Sequence, residues 1–232
     1  MQLQPGMIAI LDALGAARYS EAEINQFLKS RDLVLSLLQG KARGRVTVFT
    51  FSDTVLIVYP TDGPATFADV RDFCELLRRF VINSLAQRIL FRGAFAIGLF
   101  LVEPGTQTVL GPAVADAAAW YNRADWIGVA ATPQATLLVQ SLTEQRGDDL
   151  FRLVIDYPVP LKDRAPLSLK AVNWPKAFFV RGLRPWTEGE RPRAKCLSLL
   201  AMNAVPQGTE SKYFNTMAFF DYCESWRKRR KK

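Results

Sequence analysis

The chain alternates between apolar stretches and stretches of helical period. Met7 to Leu11 is apolar without a break, which suits a strand covered on both faces. Val46–Thr50 and Thr54–Tyr59 are β-rich runs on either side of Phe51-Ser52-Asp53, a spacing that predicts a hairpin with an acidic tip. Leu90–Val102 predicts a longer strand with Arg92-Gly93 near its start and Gly98 inside, where glycine marks close approach of another backbone. Trp126–Ala130 predicts a short strand. Between these runs the period becomes helical. Ser20–Gln39 places Ile24, Phe27, Leu28, Leu33, Val34, Leu37 and Leu38 near helical spacing, with Ser20 and Glu23 as a capping box and Gly40 as a stop. Phe67–Ile89 carries a stripe through Val70, Phe73, Leu77, Phe80, Val81 and Leu85, with Thr66 as N-cap, and Gly111–Arg123 is a third, alanine-rich helix.

The order strand, helix, hairpin, helix, strand, helix, strand predicts an α+β fold, ferredoxin-like, with a sheet and helices on one face. Beyond Pro133 the pattern loosens. A short helix through Leu142, a strand near Phe151–Asp156 and a hairpin-like region punctuated by Pro158, Pro160 and Pro166 follow, and Trp174-Pro175 with Phe178–Arg181 is expected to complete the sheet. Pro185–Arg193 reads as a polar loop and Glu210–Trp226 as an aromatic-rich helix docked on the core. We expect a single domain over 1–232, with a core of about 7–132, a C-terminal elaboration of about 133–226 and a basic tail, 227–232.

Composition narrows the chemistry. The chain has no histidine, which removes serine-histidine and cysteine-histidine catalysis and the usual zinc sites. Cys74, Cys196 and Cys223 are widely spread, in no C-x-x-C arrangement, and read as free thiols of a reducing compartment. No apolar run is long enough to span a membrane and no signal segment opens the chain, so a cytoplasmic protein is expected. The net charge of +8 favours an anionic partner, but much of it lies in Arg227-Lys228-Arg229-Arg230-Lys231-Lys232. Such a tail is usually a solvated end, so a nucleic-acid-binding surface is not demanded.

What remains is carboxylate and metal chemistry, with Arg and Lys to manage negative charge. The first apolar run ends in one carboxylate, Asp12, followed by the small-residue turn Ala13-Leu14-Gly15-Ala16-Ala17. Amides of such a turn approach an anion closely. A charge on a buried strand is costly unless paired or coordinated. Asp53, at the hairpin tip, is placed to meet it, and two converging carboxylates suit Mg²⁺ held together with substrate phosphates. Taken singly, each aspartate also suits a turn or a helix cap.

With both aspartates placed, Met7–Thr132 resembles a class III nucleotidyl cyclase catalytic domain. Ile8–Ala16 resembles the family's first strand, whose metal-binding Asp opens D-x-x-G. Phe51-Ser52-Asp53 resembles its hairpin tip, where the second metal-binding Asp follows Gly. Arg92-Gly93 through Gly98 resembles the next strand, and Gly111–Ala119 the glycine-led helix. The family's purine-reading Lys and Asp fall on Phe49 and Thr108, and its helix Asn and transition-state Arg on Ala115 and Ala119, so Arg92 or Arg123 would have to substitute. In lacking the purine readers, and in Leu161-Lys162, Asn173-Trp174-Pro175 and Lys212-Tyr213, the chain resembles the stand-alone pyrimidine cyclases of Pycsar antiphage defence.

The resemblance implies conversion of UTP or CTP to the 3′,5′-cyclic monophosphate and pyrophosphate, two Mn²⁺ or Mg²⁺ ions, a head-to-tail homodimer with composite sites, and a separate effector that reads the product. It assigns Asp12, Asp53 and the Ala13 carbonyl to metal, Asp12, Asp53 and Arg92 to catalysis, and Ala13, Gly15, Phe49, Arg92 and Lys162 to substrate. Two rivals accompany this reading: a degenerate cyclase fold that binds nucleotide or a partner without turnover, and a nucleic-acid module using the basic tail.

Overall fold

A computed structural model of the chain describes residues 2–16, 19–42, 44–103, 105–106, 108–146, 153–163, 165–186, 190–203 and 207–229. Among these, the strands are β1 (Gln4–Ala13), β2 (Thr47–Phe51), β3 (Thr54–Pro60), β4 (Phe91–Glu103), β5 (Thr108–Leu110), β6 (Gly128–Ala131), β7 (Val154–Val159) and β8 (Leu167–Val172). The α-helices are α1 (Glu21–Ala42), α2 (Phe67–Ala86), α3 (Pro112–Trp120), α4 (Pro133–Arg146), α5 (Pro192–Ala201) and α6 (Glu210–Arg229). The sheet runs β2-β3-β1-β4-β6-β8-β7, with β5 paired to β4 off this path. The expected mixed α+β sheet is therefore present.

β1 lies at the heart of the sheet, antiparallel to β3 on one side and to β4 on the other. Its unbroken apolar run follows from that position: Met7, Ile8, Ala9 and Leu11 are fully buried. Each buried Leu or Ile side chain contributes about 1.5–3 kcal/mol. Met7, Ala9 and Leu11 face the main core, into which α1, α2, α4, α5 and α6 also pack. Ile8 and Ile10 face the opposite layer, where α3 adds Ala113 and Ala117 over Ala96 and Phe100. So α3 lies across the sheet from the other helices, and the expectation of helices on one face does not hold for it: Ile8 and Ile10 leave the second face of the central strand apolar, and α3 covers it. Gly111 at its N-cap has φ 134°, and a Cβ there would lie 2.8 Å from Phe100 Cα. Only glycine lets the helix start this close to β4.

Both predicted N-caps are present, but α1 runs through Gly40, the expected stop, to Ala42. In α1 the Ser20 amide donates to Glu23 Oε2 at 2.7 Å, and Thr66 with Asp69 forms a capping box at α2. α1 buries a narrower face than its apolar residues allow: Phe27, Val34 and Leu38 are buried, whereas Ile24, Leu28, Leu33 and Leu37 are exposed.

The second half departs more from expectation. Trp174–Phe179 is a 3₁₀ helix and adds no strand to the sheet, because Pro175 sits in its first turn and Asn173 caps it by accepting from the Lys176 amide at 3.2 Å. Arg181–Leu183 is a second 3₁₀ turn. α5 begins inside the stretch read as a polar loop, with Pro192 in its first turn, while 187–189 of that stretch lie outside the described residues. The strand expected at Phe151–Asp156 is shifted to Val154–Val159, and 151–152 are outside the described residues. Pro158 is tolerated within it because β7 is the edge of the sheet. The basic tail is in part helical: Arg227 to Arg229 close α6, and the Arg227 guanidinium lies 4.4 Å from the Phe179 ring centroid. Arg230 to Lys232 lie outside the described residues. No helix of the described residues is long and apolar enough to cross a membrane.

Candidate active site

Strand register sets the hairpin tip that carries Asp53 beside the strand end that carries Asp12. Asp12 stands opposite Thr54, the residue after Asp53, so the hairpin tip lies beside the end of β1. The Ala13 amide donates to the Asp53 carbonyl at 3.1 Å and ties the two ends together. The turn is Ser52-Asp53, and Ser52 has φ 55°. That is a left-handed conformation which glycine ordinarily takes in a two-residue hairpin, so serine sits there under strain.

On the other side of Asp12 is Arg92, its partner in the β1–β4 register. Arg92 Nη2 and Nε both donate to Asp12 Oδ2, at 2.9 and 3.2 Å, and Nη1 donates to the Asn122 carbonyl at 3.3 Å. Thr54, Asp12, Arg92 and Gly128 thus form one row across β3, β1, β4 and β6. Phe51 pairs with Thr54 at the end of this row and is 84% exposed. Phe49 pairs with Leu56, which pairs with Ile10, so it lies two residues further along the same face, about 7 Å from the aspartate row. Phe49 is half-buried against the cluster beneath α3.

Lys162 reaches the same end of the sheet. Its amide donates to the Arg123 carbonyl at 3.0 Å, and its ammonium lies in the field of Arg92, Lys212, Asp125 and Asp12. Burial, with Arg92 and Lys212 adding to it, holds its pKa below the ordinary lysine value. Arg123 is occupied elsewhere: it pairs with Asp163 at 3.1 Å and stacks on Trp120 at 5.1 Å.

The turn after Asp12 offers fewer amides than its composition promises. Ala13 donates to Asp53 and Leu14 to the Leu90 carbonyl at 2.8 Å, so an anion cradle narrows to Gly15, with φ 84°, and Ala16. Behind this turn, on the helix side, lies a cavity of about 510 Å³ walled by Leu14, Gly15, Tyr19, Phe27 and Tyr213. It shares Gly15 with the site but contains neither aspartate. Burial, reinforced by Glu23 and Asp53, raises the pKa of Tyr19 there.

Asp125 and Lys212 join the site only through the fold. Their side chains pair at 3.1 Å, and Lys212 comes from the first turn of α6. The sequence signal was confined to the dipeptide Lys212-Tyr213, with nothing to indicate its partner.

The donor set fits a hard divalent ion. Two carboxylates stand at adjoining strand ends, and Arg92 engages only Oδ2 of Asp12. Among the described residues, no group of three or more His, Cys, Asp or Glu converges. Such a pair suits an ion whose shell is completed by water and substrate phosphate, and does not make an all-protein cage.

No protein-family model and no curated protein matches the chain. Among solved structures it is similar to the adenylyl cyclase CyaB from P. aeruginosa, at 13% identity over 74% of this chain and 95% of that one, with a TM-score of 0.50. It is also similar to a dimeric guanylyl cyclase domain of the RhoGC fusion protein from Blastocladiella emersonii, at 12% identity over 75% and 98% of the two chains, with a TM-score of 0.48. A third is the guanylate cyclase domain of RhGC from Catenaria anguillulae in complex with GTP, at 12% identity over 75% and 98%, with a TM-score of 0.47. The sheet, with its acidic hairpin tip beside the first strand, thus shares its fold with the adenylyl cyclase CyaB.

Proposed function

We propose that the protein is a pyrimidine nucleotide cyclase, converting UTP or CTP to the 3′,5′-cyclic monophosphate and pyrophosphate, with its product serving as a second messenger to a separate effector in bacterial antiphage defence. The observation that carries the reading is the row in which Asp12, beside the Asp53 tip, is flanked by Arg92, on a cyclase fold. Asp12, Asp53 and the Ala13 carbonyl would hold two divalent ions, Mn²⁺ or Mg²⁺. When bound, such ions acidify the 3′-hydroxyl and neutralise triphosphate charge.

The chain's own residues do the rest. The 3′-hydroxyl gives up its proton to solvent water, and its oxygen attacks the α-phosphorus as the bond to pyrophosphate breaks. The Gly15 and Ala16 amides face the phosphates, and Arg92 and Lys162 neutralise charge on the departing pyrophosphate. Arg92 must then release Asp12 Oδ2 or divide its N–H donors between that carboxylate and the phosphates. Phe49 offers a ring on the Asp12 face, where a purine-reading lysine would otherwise stand, and limits the base to a pyrimidine. A head-to-tail homodimer with composite sites is supported by Phe51, 84% exposed beside Asp12, together with half-buried Phe49, Leu56 and Val114 on the same face. The chain acts as one domain, with the elaboration after 132 completing the site through Lys162.

Asp12→Ala and Asp53→Ala should each abolish Mn²⁺-dependent turnover while leaving the circular dichroism spectrum unchanged, and full activity in either variant would overturn the metal assignment. A second reading, nucleotide binding without turnover, is favoured by Ala115 and Ala119, both exposed on α3 and unable to stabilise a transition state. Metal-dependent triphosphate binding with no product at high enzyme concentration would select it.

A further inference from the structure

The segment from Arg123 to Ile127 supports the cationic end of the site, and the C-terminal helix holds that segment from behind. The Lys162 amide donates to the Arg123 carbonyl at 3.0 Å and the Asp125 amide to the Pro160 carbonyl at 2.8 Å, with Ala124 and Leu161 bridged antiparallel between them. The two segments are zipped together, so whatever fixes one fixes the other. α6 supplies the fixing. Asn215 Nδ2 donates to the Asp125 carbonyl at 2.7 Å and to its Oδ2 at 3.2 Å, and Thr216 Oγ1 accepts from the Ile127 amide at 2.8 Å. Lys212 Nζ sits 3.1 Å from Asp125 Oδ1, in a pair whose side chains are only 7% and 16% exposed.

Asp125 is thus a carboxylate with two lysines in its field, Lys212 and Lys162. Its own burial opposes ionisation. Hydrogen bonds from Ser211 and Lys212 and the two lysine charges outweigh that, and hold its pKa below the ordinary carboxylate value. An anion in this position is satisfied by one cation. Removing Lys212 would leave Asp125 to draw on Lys162, the other lysine in its field among the described residues, and pull that ammonium away from Arg92 and Asp12.

We propose that Lys212, in the first turn of the C-terminal helix, is a positioning residue that neutralises Asp125 and so leaves Lys162 free to meet the anionic end of a triphosphate. The inference rests on the triphosphate reading above and makes α6 a working part of the site. It also separates the duties of two neighbouring lysines: Lys162 meets phosphate, and Lys212 pairs with Asp125.

The test is calorimetric binding of UTP, CTP and inorganic tripolyphosphate, each with Mn²⁺, to the full chain, together with kcat and KM. Lys212→Gln should weaken tripolyphosphate binding by at least about tenfold, the worth of one lost charge-assisted contact, and raise KM more than it lowers kcat. The decisive variant is Lys212→Gln combined with Asp125→Asn. It removes both charges, leaves no buried charge uncompensated, and should restore binding to within about twofold of the unmodified protein. A merely structural role for the pair would make the double variant no better than Lys212→Gln, and that result overturns the proposal. So does unchanged binding in Lys212→Gln. If the unmodified protein binds none of the three probes, the triphosphate reading itself has failed. If it binds but is insensitive to Lys212, only this inference has.

Discussion

Gly93 is a residue whose replacement the structure constrains tightly. It follows Arg92 on β4, opposite Leu11 on β1. A Cβ added there would lie 2.3 Å from the Ile10 carbonyl oxygen, 2.6 Å from Leu11 Cδ2 and 3.1 Å from Leu11 Cα. Carbon–oxygen contacts between adjacent strands run at about 3.3–3.6 Å, so β4 must withdraw from β1 by about 1 Å. Ladder bonds near 2.9 Å would stretch towards about 4 Å, outside hydrogen-bond range. With about two such bonds lost in a strand that water does not reach, at roughly 1–3 kcal/mol each, Gly93→Ala should cost about 3–5 kcal/mol. For a chain of this size that is a fall in Tm of about 10–15 °C. Gly98 on the same strand is the control, because its added Cβ meets Ala113 Cβ at an ordinary 3.5 Å. Gly98→Ala should stay within about 1 kcal/mol of the parent. Thermal and urea unfolding monitored by circular dichroism give both values. Equal Tm for the two variants, or an unperturbed Gly93→Ala, would refute this reasoning.

Three further outcomes follow from particular residues. Ser52 is held at φ 55° at the hairpin tip, so Ser52→Gly should raise stability by about 1 kcal/mol in urea unfolding, whereas a loss would mean that the serine makes a contact outweighing its strain. Lys162 must be protonated to neutralise phosphate, and its pKa is lowered by burial and by Arg92 and Lys212. Affinity for triphosphate should therefore fall as pH rises through a limb placed below the ordinary lysine range, and that limb should vanish in Lys162→Arg; an unchanged profile in the variant would remove Lys162 from the site. Burial pushes the Cys74 and Cys196 thiols up to about 12 and Cys223 well above its ordinary value. A thiol reagent at pH 8 should label none of them until denaturant is added, and rapid labelling of the native protein would contradict the packing.

The parts of the fold written in local pattern were legible, and those decided by distant contacts were not. β1 could be read because a central strand has no polar alternation, and the hairpin because two β-rich runs enclose Phe51-Ser52-Asp53. The caps at Ser20 and Thr66 are local and were read directly. Trp174-Pro175 with Phe178–Arg181 read as a completion of the sheet because these residues are largely aromatic and apolar, yet Pro175 and the Asn173 cap turn Trp174–Phe179 into a 3₁₀ helix. α5 was hidden by a polar, proline-led start. In the site, Asp12 and Asp53 stood out as charges ending apolar runs. The bond from Arg92 to Asp12 spans 80 residues, and the grip of Asn215 on Asp125 spans 90. Neither has any trace in local sequence, because strand order brings the first pair together and the docking of α6 the second.

The most direct test of the central claim is to incubate the purified protein with ATP, GTP, CTP and UTP separately, with Mn²⁺, and to identify products by chromatography and mass. The account predicts one cyclic pyrimidine monophosphate with an equivalent of pyrophosphate, lost in Asp53→Ala. A cyclic purine product, or no product from any of the four at high enzyme concentration, would contradict it.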